Sequence, residues 1–327
     1  MKGKIVHAVI TVSDREGVES EEIPFRTTRS SPGYEAYWPT YRIVAQGEIA
    51  PVLGPTPLGY RVKAFKGNFT IVEMECGFEN DAAVNVLALK NALSRKALEI
   101  AKAWDAAAGY EEYTFYCVSD YEGYDGFLSQ NGLMISQLIK DETADLAPEE
   151  IKETLASSLR YDNEDLTVIE WDGALLLDKD GNFDDNITLL ELANIQLLAL
   201  RTLDNNLSQE IARFKRFGDI KTSNIFRLSS FLKSVVNVRT KSLFELDSID
   251  DAIKLYGDWY SAKVYSIAAR KLYHVKWRDA VEKKLNLLEN MFEMVSHRQV
   301  ELYNLILEFS IVALIVFEIA LLLAGVA

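Results

Sequence analysis

The first 185 residues alternate between short apolar runs and turn-forming residues, a pattern typical of strands and helices joined by loops. Runs rich in β-branched and aromatic residues predict strands over residues 5–12, 41–50, 69–76 and 113–118. Helical spacing of Ala and Leu predicts helices over residues 80–108, 127–140 and 148–159. Turns containing Pro and Gly, including residues 51–59, separate the strands.

A hairpin is predicted near the end of this region. Asp172-Gly173 lies between the apolar runs 166–171 and 174–177, and this dipeptide suits a tight turn that needs positive φ. We therefore expect residues 1–185 to form a head with an α+β fold.

The pattern is helical from residue 186 onward, with predicted helices over residues 186–217, 224–244, 247–273 and a last one to the end. In the last helix, spacings of four and three alternate along Val281, Leu285, Leu288, Phe292, Val295, Gln299, Leu302 and Ile306. This heptad seam, with Gln299 as its polar member, predicts a coiled coil, so residues 186–308 are interpreted as a long-helix stalk. Either the preceding helix or a second subunit could fill the seam, and we expect a homo-oligomer.

Residues 309–327 form one apolar stretch with a single charge, Glu318. As a helix, 19 residues span roughly 28 Å, close to the hydrocarbon core of a bilayer. Twelve Leu, Ile, Val or Phe residues together favour insertion by roughly 4 to 7 kcal/mol, more than the roughly 3 kcal/mol that a central carboxylate costs. The stretch predicts one C-terminal transmembrane helix.

Charge is distributed unevenly along the chain. Residues 1–210 hold 18 Lys or Arg against 36 Asp or Glu, whereas residues 211–327 hold 17 against 13. An acidic head argues against general affinity for nucleic acid. No secretory signal precedes it, and Cys76 and Cys117 are isolated thiols that suit a reducing compartment. The excess of cations before the span places the head on the cytoplasmic side.

The cations before the span form two groups. They comprise Arg213, Lys215, Arg216, Arg270, Lys271, Lys276, Arg278, Lys283 and Lys284. Three roles are open for these cations. They could form a solvated helix face, which is the first interpretation, contact anionic lipid headgroups, or contact RNA.

Two glutamates lie at or in the apolar stretch. Glu308 sits at its edge, where a carboxylate reaches water, whereas Glu318 is deep within it. A carboxylate at such depth is a functional or structural site by default. Packing against another subunit, lipid-facing snorkelling and an ion path remain open for Glu318.

The tail carries a pattern of residues that resembles a known family. Leu307-Glu308-Phe309, Ile311-Val312, Leu314-Ile315-Val316 and Phe317-Glu318-Ile319 are similar to the C-terminal pattern of the required-for-meiotic-nuclear-division (Sif-type or YagE-type) family. The resemblance covers only the C-terminal region. It implies a membrane-anchored coiled-coil protein with no established enzyme activity.

Candidates for catalysis and metal binding are sparse. His7, His274 and His297 are scattered, and the sequence contains no phosphate-binding loop and no nucleophile elbow. Asp180, Asn182, Asp184 and Glu191 imitate a calcium loop, but Asp185 stands where the turn needs glycine. We expect no cofactor, no metal and no catalysis.

These features together predict a C-terminally anchored membrane scaffold or tether, which holds a protein partner at the bilayer and self-associates through its stalk. An oligomeric channel that uses Glu318 and a membrane-held enzyme of unknown class are the alternatives.

Overall fold

The computed structural model of the chain describes residues 1–12, 41–52, 57–65, 69–79, 82–104, 109–161, 164–218 and 259–323, together with 233, 236, 237 and 240. The chain divides into two compact units. The sheet unit comprises Met1–Thr202 and Ser248–Trp277, and the helical unit comprises Leu203–Asp247 and Arg278–Ala327. The predicted helix over residues 224–244 lies outside the described residues, apart from the four isolated positions.

Eight strands and six helices follow one another along the described residues. The strands are β1 (Lys2–Val12), β2 (Tyr41–Ile49), β3 (Leu58–Phe65), β4 (Phe69–Glu79), β5 (Tyr110–Val118), β6 (Ser158–Leu159), β7 (Asp165–Ile169) and β8 (Gly173–Asp178). The helices are α1 (Ala83–Trp104), α2 (Tyr124–Ile139), α3 (Pro148–Ala156), α4 (Asp184–Gly218), α5 (Trp259–Lys271) and α6 (His274–Leu323).

The strands form one mixed sheet in the order β2-β3-β4-β1-β5-β8-β7-β6. Each pair of neighbours is antiparallel except β5 and β8, which are parallel. The predicted hairpin forms, since Ile169 of β7 pairs with Ala174 of β8. Its turn differs from the prediction, because Gly173 belongs to β8 and neither Asp172 nor Gly173 has positive φ. The chain between β5 and β8 contains α2 and α3, and a parallel connection needs a crossover of this length.

Helices cover both faces of the sheet. Against one face α1 and α2 bury residues such as Leu87, Leu93 and Ile135. Against the other face α4 and α5 bury residues such as Leu190 and Val264. Strand β1 is therefore buried on both sides, which explains why its sequence is a nearly continuous apolar run.

The predicted fold class is wrong. The chain forms an eight-stranded mixed sheet with helices on both faces, and the sheet unit extends beyond residue 185. Helices α4 and α5 were assigned to a stalk, yet the N-terminal half of α4 and all of α5 pack on the sheet. Their apolar stripes are as compatible with a sheet as with another helix, because periodicity reports that a face is buried and not what covers it.

A long coiled-coil stalk is also not what the structure shows. In the helical unit Val281, Leu285 and Leu288 are buried. Lys284 Nζ lies 2.5 Å from Asp204 Oδ1 and 2.6 Å from Ser208 Oγ, so the neighbour of this part of α6 is α4 of the same chain.

Burial of the seam decreases beyond Leu288. Phe292, Val295 and Gln299 are half-exposed and Ile306 is exposed. Within the described residues no second long helix pairs with α6 along its remaining length. The seam begins as an intramolecular contact at three apolar positions, and the described residues show no long coiled-coil stalk beyond them.

Strand β3 was missed from the sequence, where its start was taken as part of a turn. Its residues Arg61 and Lys63 point to the face that α4 covers and carry charge into a buried layer. Charged residues at alternate positions usually indicate the solvent-exposed face of a strand. In β3 they lie on a covered face, so this pattern predicts the wrong burial.

Candidate functional site

The most distinctive surface of the molecule is the end of α6. Among the described residues, α6 is the one helix that is long and apolar enough by composition to cross a membrane, over His274–Leu321. Its large side chains in residues 309–323, which we call the apolar segment, are exposed, including Phe309, Leu314 and Leu323. Glu308 and Glu318 are exposed with them. Length and composition are the basis of this candidate, and the described residues of the sheet unit include no stretch of comparable apolar exposure.

The structure separates the predicted basic residues by role. Several are used within the fold: Lys271 pairs with Glu170, Lys284 with Asp204, and Arg213 with Glu210 on its own helix. Lys276 lies 4.2 Å from the ring centre of Tyr273. Arg270 and Lys283 are exposed and Arg278 is half-exposed, whereas the side chains of Lys215 and Arg216 lie outside the described residues.

The distance along α6 disfavours lipid contact for the cations on this helix, Lys276, Arg278, Lys283 and Lys284. Lys284 and Phe309 belong to one uninterrupted helix, and 25 residues at about 1.5 Å each separate them by roughly 38 Å. Attraction between surface charges fades beyond a Debye length of about 8 to 10 Å. A solvated helix face is therefore the interpretation that the helix geometry favours.

A buried cluster of charges lies where α4 covers β3 and β4. We call it the Lys63 cluster; its members are Arg61, Lys63, Glu73 and Glu191. Lys63 Nζ lies 2.6 Å from Glu73 Oε1 and 2.9 Å from Glu191 Oε2. Arg61 Nε lies 2.9 Å from Glu73 Oε2. Two cations and two carboxylates thus connect two strands to a helix inside an apolar layer.

The protonation of this cluster follows from its burial. Burial raises the pKa of Glu191 to about 8, although Lys63 opposes the rise. Burial would also raise the pKa of Glu73, but Lys63 and Arg61 together hold it below its ordinary value. The charge of Glu73 adds to the rise in the pKa of Glu191, because a second carboxylate beside the first disfavours its ionised form. At neutral pH, Glu73 carries the charge and Glu191 carries the proton.

A second polar cluster lies on the opposite face of the sheet, around His7 of β1. His7 Nδ1 lies 3.0 Å from Thr114 Oγ1, and Nε2 lies 3.2 Å from Glu112 Oε2. Ser94 Oγ of α1 donates to the same Glu112 oxygen at 2.8 Å. Burial lowers the pKa of His7, although its bond to Glu112 opposes the change, so the imidazole is neutral.

This second cluster does not have the geometry of a nucleophile and its base. The hydroxyl of Ser94 bonds to a carboxylate and not to the imidazole, whereas an activated nucleophile must reach its base. His274 lies elsewhere, 3.5 Å from the Tyr265 hydroxyl, and His297 is exposed on α6. His7 and His274 thus have different partners within the sheet unit.

The acidic loop before α4 is a turn. Asp178 Oδ1 accepts the backbone N–H of Asp180 at 2.8 Å, and Gly181 has positive φ. Glu191, which the calcium pattern would need as a ligand, belongs to the Lys63 cluster. Among the residues that the structure describes, no three His, Cys, Asp or Glu side chains converge as a metal site.

Neither polar cluster was anticipated from the sequence. A usable signal was present: Arg61 and Lys63 alternate in one segment, and Glu73 and Glu75 alternate in the next. Opposite charges at alternate positions of adjacent strands can pair across a sheet. Glu191 interrupts the apolar stripe of α4 and marks the face that closes the cluster.

Comparison with known proteins gives two matches. Residues 71–184 match a family model described as the N-terminal domain of uncharacterised protein MJ0711. Uncharacterised protein MJ0711 of Methanocaldococcus jannaschii is 31% identical over 331 aligned residues, which cover 100% of this chain and 98% of that protein. No solved structure matches the chain.

These matches show that the resemblance to the required-for-meiotic-nuclear-division family is wrong. The full-length match is to MJ0711, and nothing in the comparisons points to the other family. The resemblance was based on the tail, where a few apolar residue types recur. Such a segment offers little sequence information, because lipid solubility constrains composition far more than order.

Proposed function

Because the chain belongs to the family of uncharacterised protein MJ0711, whose description names no activity, we propose its function from its physical properties. We propose that it is a membrane tether. The apolar segment of α6 anchors the chain in a bilayer, and the sheet unit is held beside the membrane to bind a partner protein.

The exposure of the apolar segment is the observation that carries this proposal. Large apolar side chains on every side of a helix are unfavourable in water and favourable in lipid. A contiguous exposed apolar surface of this size marks a membrane or protein contact. All backbone groups within a helix are bonded internally, as a spanning segment requires.

Helix α6 also supports a spacing role. Twenty residues, 289–308, lie between the last buried position of the seam, Leu288, and the apolar segment. At about 1.5 Å per residue they extend roughly 30 Å as one helix without proline or glycine. A tether with such a helix holds the buried start of the α6 seam at a defined distance from the lipid.

The cytoplasmic side is the proposed location of the sheet unit. Cys76 and Cys117 are both buried free thiols, which suits a reducing compartment. Protection of the sheet unit from added protease in intact cells, with loss of protection after permeabilisation, is the expected result.

The polar clusters favour a tether over a membrane-held enzyme. In the Lys63 cluster every charge is paired, and both carboxyl groups are inaccessible. In the His7 cluster the imidazole is fully buried and Ser94 is directed to Glu112. Paired and inaccessible groups support packing more readily than they support proton transfer to a substrate.

Extraction of membranes with alkaline carbonate tests the anchor. The full chain is expected to stay in the pellet. Ile311→Arg combined with Ile315→Arg adds roughly 6 kcal/mol to the cost of insertion and is expected to move the chain to the supernatant. Asn286→Arg combined with Asn290→Arg adds the same charge at exposed positions outside the apolar segment and should leave it in the pellet. Recovery of the unaltered chain without detergent would refute the proposal.

A further inference from the structure

Glu318 lacks a hydrogen-bond or ion-pair partner among the residues that the structure describes. Its side chain is exposed on α6. Ser310, the other polar side chain of residues 309–327, donates its hydroxyl to the Ile306 carbonyl oxygen at 2.8 Å. Helix α6 therefore satisfies the hydroxyl group within its own backbone and leaves the carboxyl group for a partner outside these residues.

Glu318 lies deep in the apolar stretch. Residues 309–317 before it and residues 319–327 after it carry no charge. Nine residues at about 1.5 Å each place it roughly 14 Å beyond Phe309. Snorkelling to the interface serves the long side chains of Lys and Arg near helix ends, whereas the Glu side chain is shorter and central. In a bilayer, this carboxyl group therefore needs a partner inside the membrane.

A second copy of the chain supplies such a partner at the matching depth. Copies of one chain insert with the same orientation, because the same sequence directs the insertion of each. Their Glu318 side chains therefore lie at one level. A carboxyl group that carries a proton has both a donor and an acceptor, so two of them can bond to each other across a twofold axis. A helix of unrelated sequence meets this condition only if it carries a polar group at the same depth.

The face around Glu318 is available for contact between helices. Leu314 lies four residues before it and Leu321 three residues after it, so the three side chains share one face. Both leucines are exposed. The spacing of the α6 seam, continued into this segment, reaches Val316 and Ala320 and passes over Glu318. A contact at Glu318 therefore uses a different stripe of α6 from the seam.

We infer that the apolar segment of α6 pairs with that of a second copy, and that the two Glu318 carboxyl groups bond to each other at the contact. The inference rests on the proposed tether function, because it places the apolar segment in lipid. Two chains paired in this way hold two sheet units at one site on the membrane.

The dissociation constant of the pair tests the role of Glu318. The full chain in neutral detergent is expected to have the mass of two copies by sedimentation equilibrium. Glu318→Leu should weaken the pair about 5- to 30-fold, the effect of losing a hydrogen bond between membrane helices in model peptides. Glu318→Gln should stay within about threefold, because an amide also donates and accepts. The control, Glu308→Leu, makes the same change at the edge of the apolar stretch and should stay within about twofold.

Cross-linking in isolated membranes locates the contact. Leu314→Cys and Leu321→Cys are each expected to form a disulfide-linked dimer on mild oxidation, because they lie on the proposed contact face. The control is Val316→Cys, on the opposite side of the helix, which should cross-link at least about tenfold more slowly. Cys76 and Cys117 are buried, so the unaltered chain should not cross-link.

Three results would each overturn the inference: a single-copy mass for the unaltered chain, unchanged pairing in Glu318→Leu, or equal cross-linking at all three positions. A polypeptide of another sequence in place of the second copy would overturn it as well. Carbonate extraction of the same proteins reports the anchor separately. A chain that stays in the pellet as a single copy refutes the pairing alone, whereas a chain that leaves the pellet refutes the tether.

Discussion

At the scale of single residues, the Lys63 cluster makes the stability of the fold depend on pH. Glu191 keeps its proton in the folded chain up to about pH 8 and releases it near its ordinary pKa of 4.5 when unfolded. Folding therefore takes up a proton between these two values. The stability that this group contributes is complete below its unfolded pKa and is lost as the pH rises through its folded pKa.

Replacing Glu191 with Gln should remove this dependence, because an amide does not titrate. We expect the free energy of unfolding of the unaltered chain to be lower at about pH 8.5 than at about pH 5.5, and the difference to shrink in Glu191→Gln. Urea denaturation at both pH values measures it. Glu75→Gln, at a half-exposed position of β4, is the matched control and should keep the original difference. An undiminished difference in Glu191→Gln would show that another group is responsible.

At the scale of elements, the parallel pair β5 and β8 depends on a close backbone approach. Gly173 pairs with Thr114, and a Cβ at Gly173 would lie 2.7 Å from the Thr114 carbonyl oxygen. β5 is bonded to β1 on its other side, and β8 is bonded to β7. Neither strand can retreat without disturbing another, so this glycine is required for the pairing.

Gly173→Ala is therefore expected to lower the free energy of unfolding by about 2 kcal/mol through overpacking. Gly126→Ala in α2 is the control, since a Cβ there meets nothing within 4 Å. It should be neutral or stabilising by up to about 1 kcal/mol, because alanine favours helix more than glycine does. Chemical denaturation compares the two variants, and equal effects would contradict the argument from close approach.

Helix α6 passes through three environments along its length. Its seam is buried at Val281, Leu285 and Leu288, half-exposed over residues 292–302, and followed by the apolar segment. A single amphipathic pattern thus serves packing in the first part only. The change from a buried stripe to apolar residues on all sides marks where the surroundings change from protein to the proposed lipid.

At the scale of the whole molecule, the apolar segment and the sheet belong to different units. Among the residues that the structure describes, the two buried clusters on the faces of the sheet are formed by residues of the sheet unit. The fold of that unit is therefore expected to be independent of the membrane segment.

A chain truncated after Glu308 should accordingly stay in the supernatant and keep the strand content of the full chain. Centrifugation after cell lysis measures the first, and far-ultraviolet circular dichroism measures the second. The full chain, which should need detergent, is the control. Sedimentation of the truncated chain with membranes would mean that another surface binds lipid.

Much of the local structure could be predicted from the sequence. Strands β1 and β4, helices α1 and α4, and the pairing of β7 with β8 follow from apolar periodicity and from the positions of turn-forming residues, which act over a few residues. Strand β3 could not be predicted, because its charges have distant partners. Lys63 pairs with Glu73, 10 residues away, and with Glu191, 128 residues away. Pairing between charges that are far apart in the sequence does not change the local periodicity of apolar residues.

The amino-acid sequence by itself determined where chain segments are apolar, how they repeat and where the charge lies, because these are properties of the residues in order. Only the tertiary structure decided the order of the strands, the covering of both sheet faces, the Lys63 cluster and the intramolecular start of the α6 seam. Each of these depends on which distant surface meets which, and several partners satisfy the same local pattern.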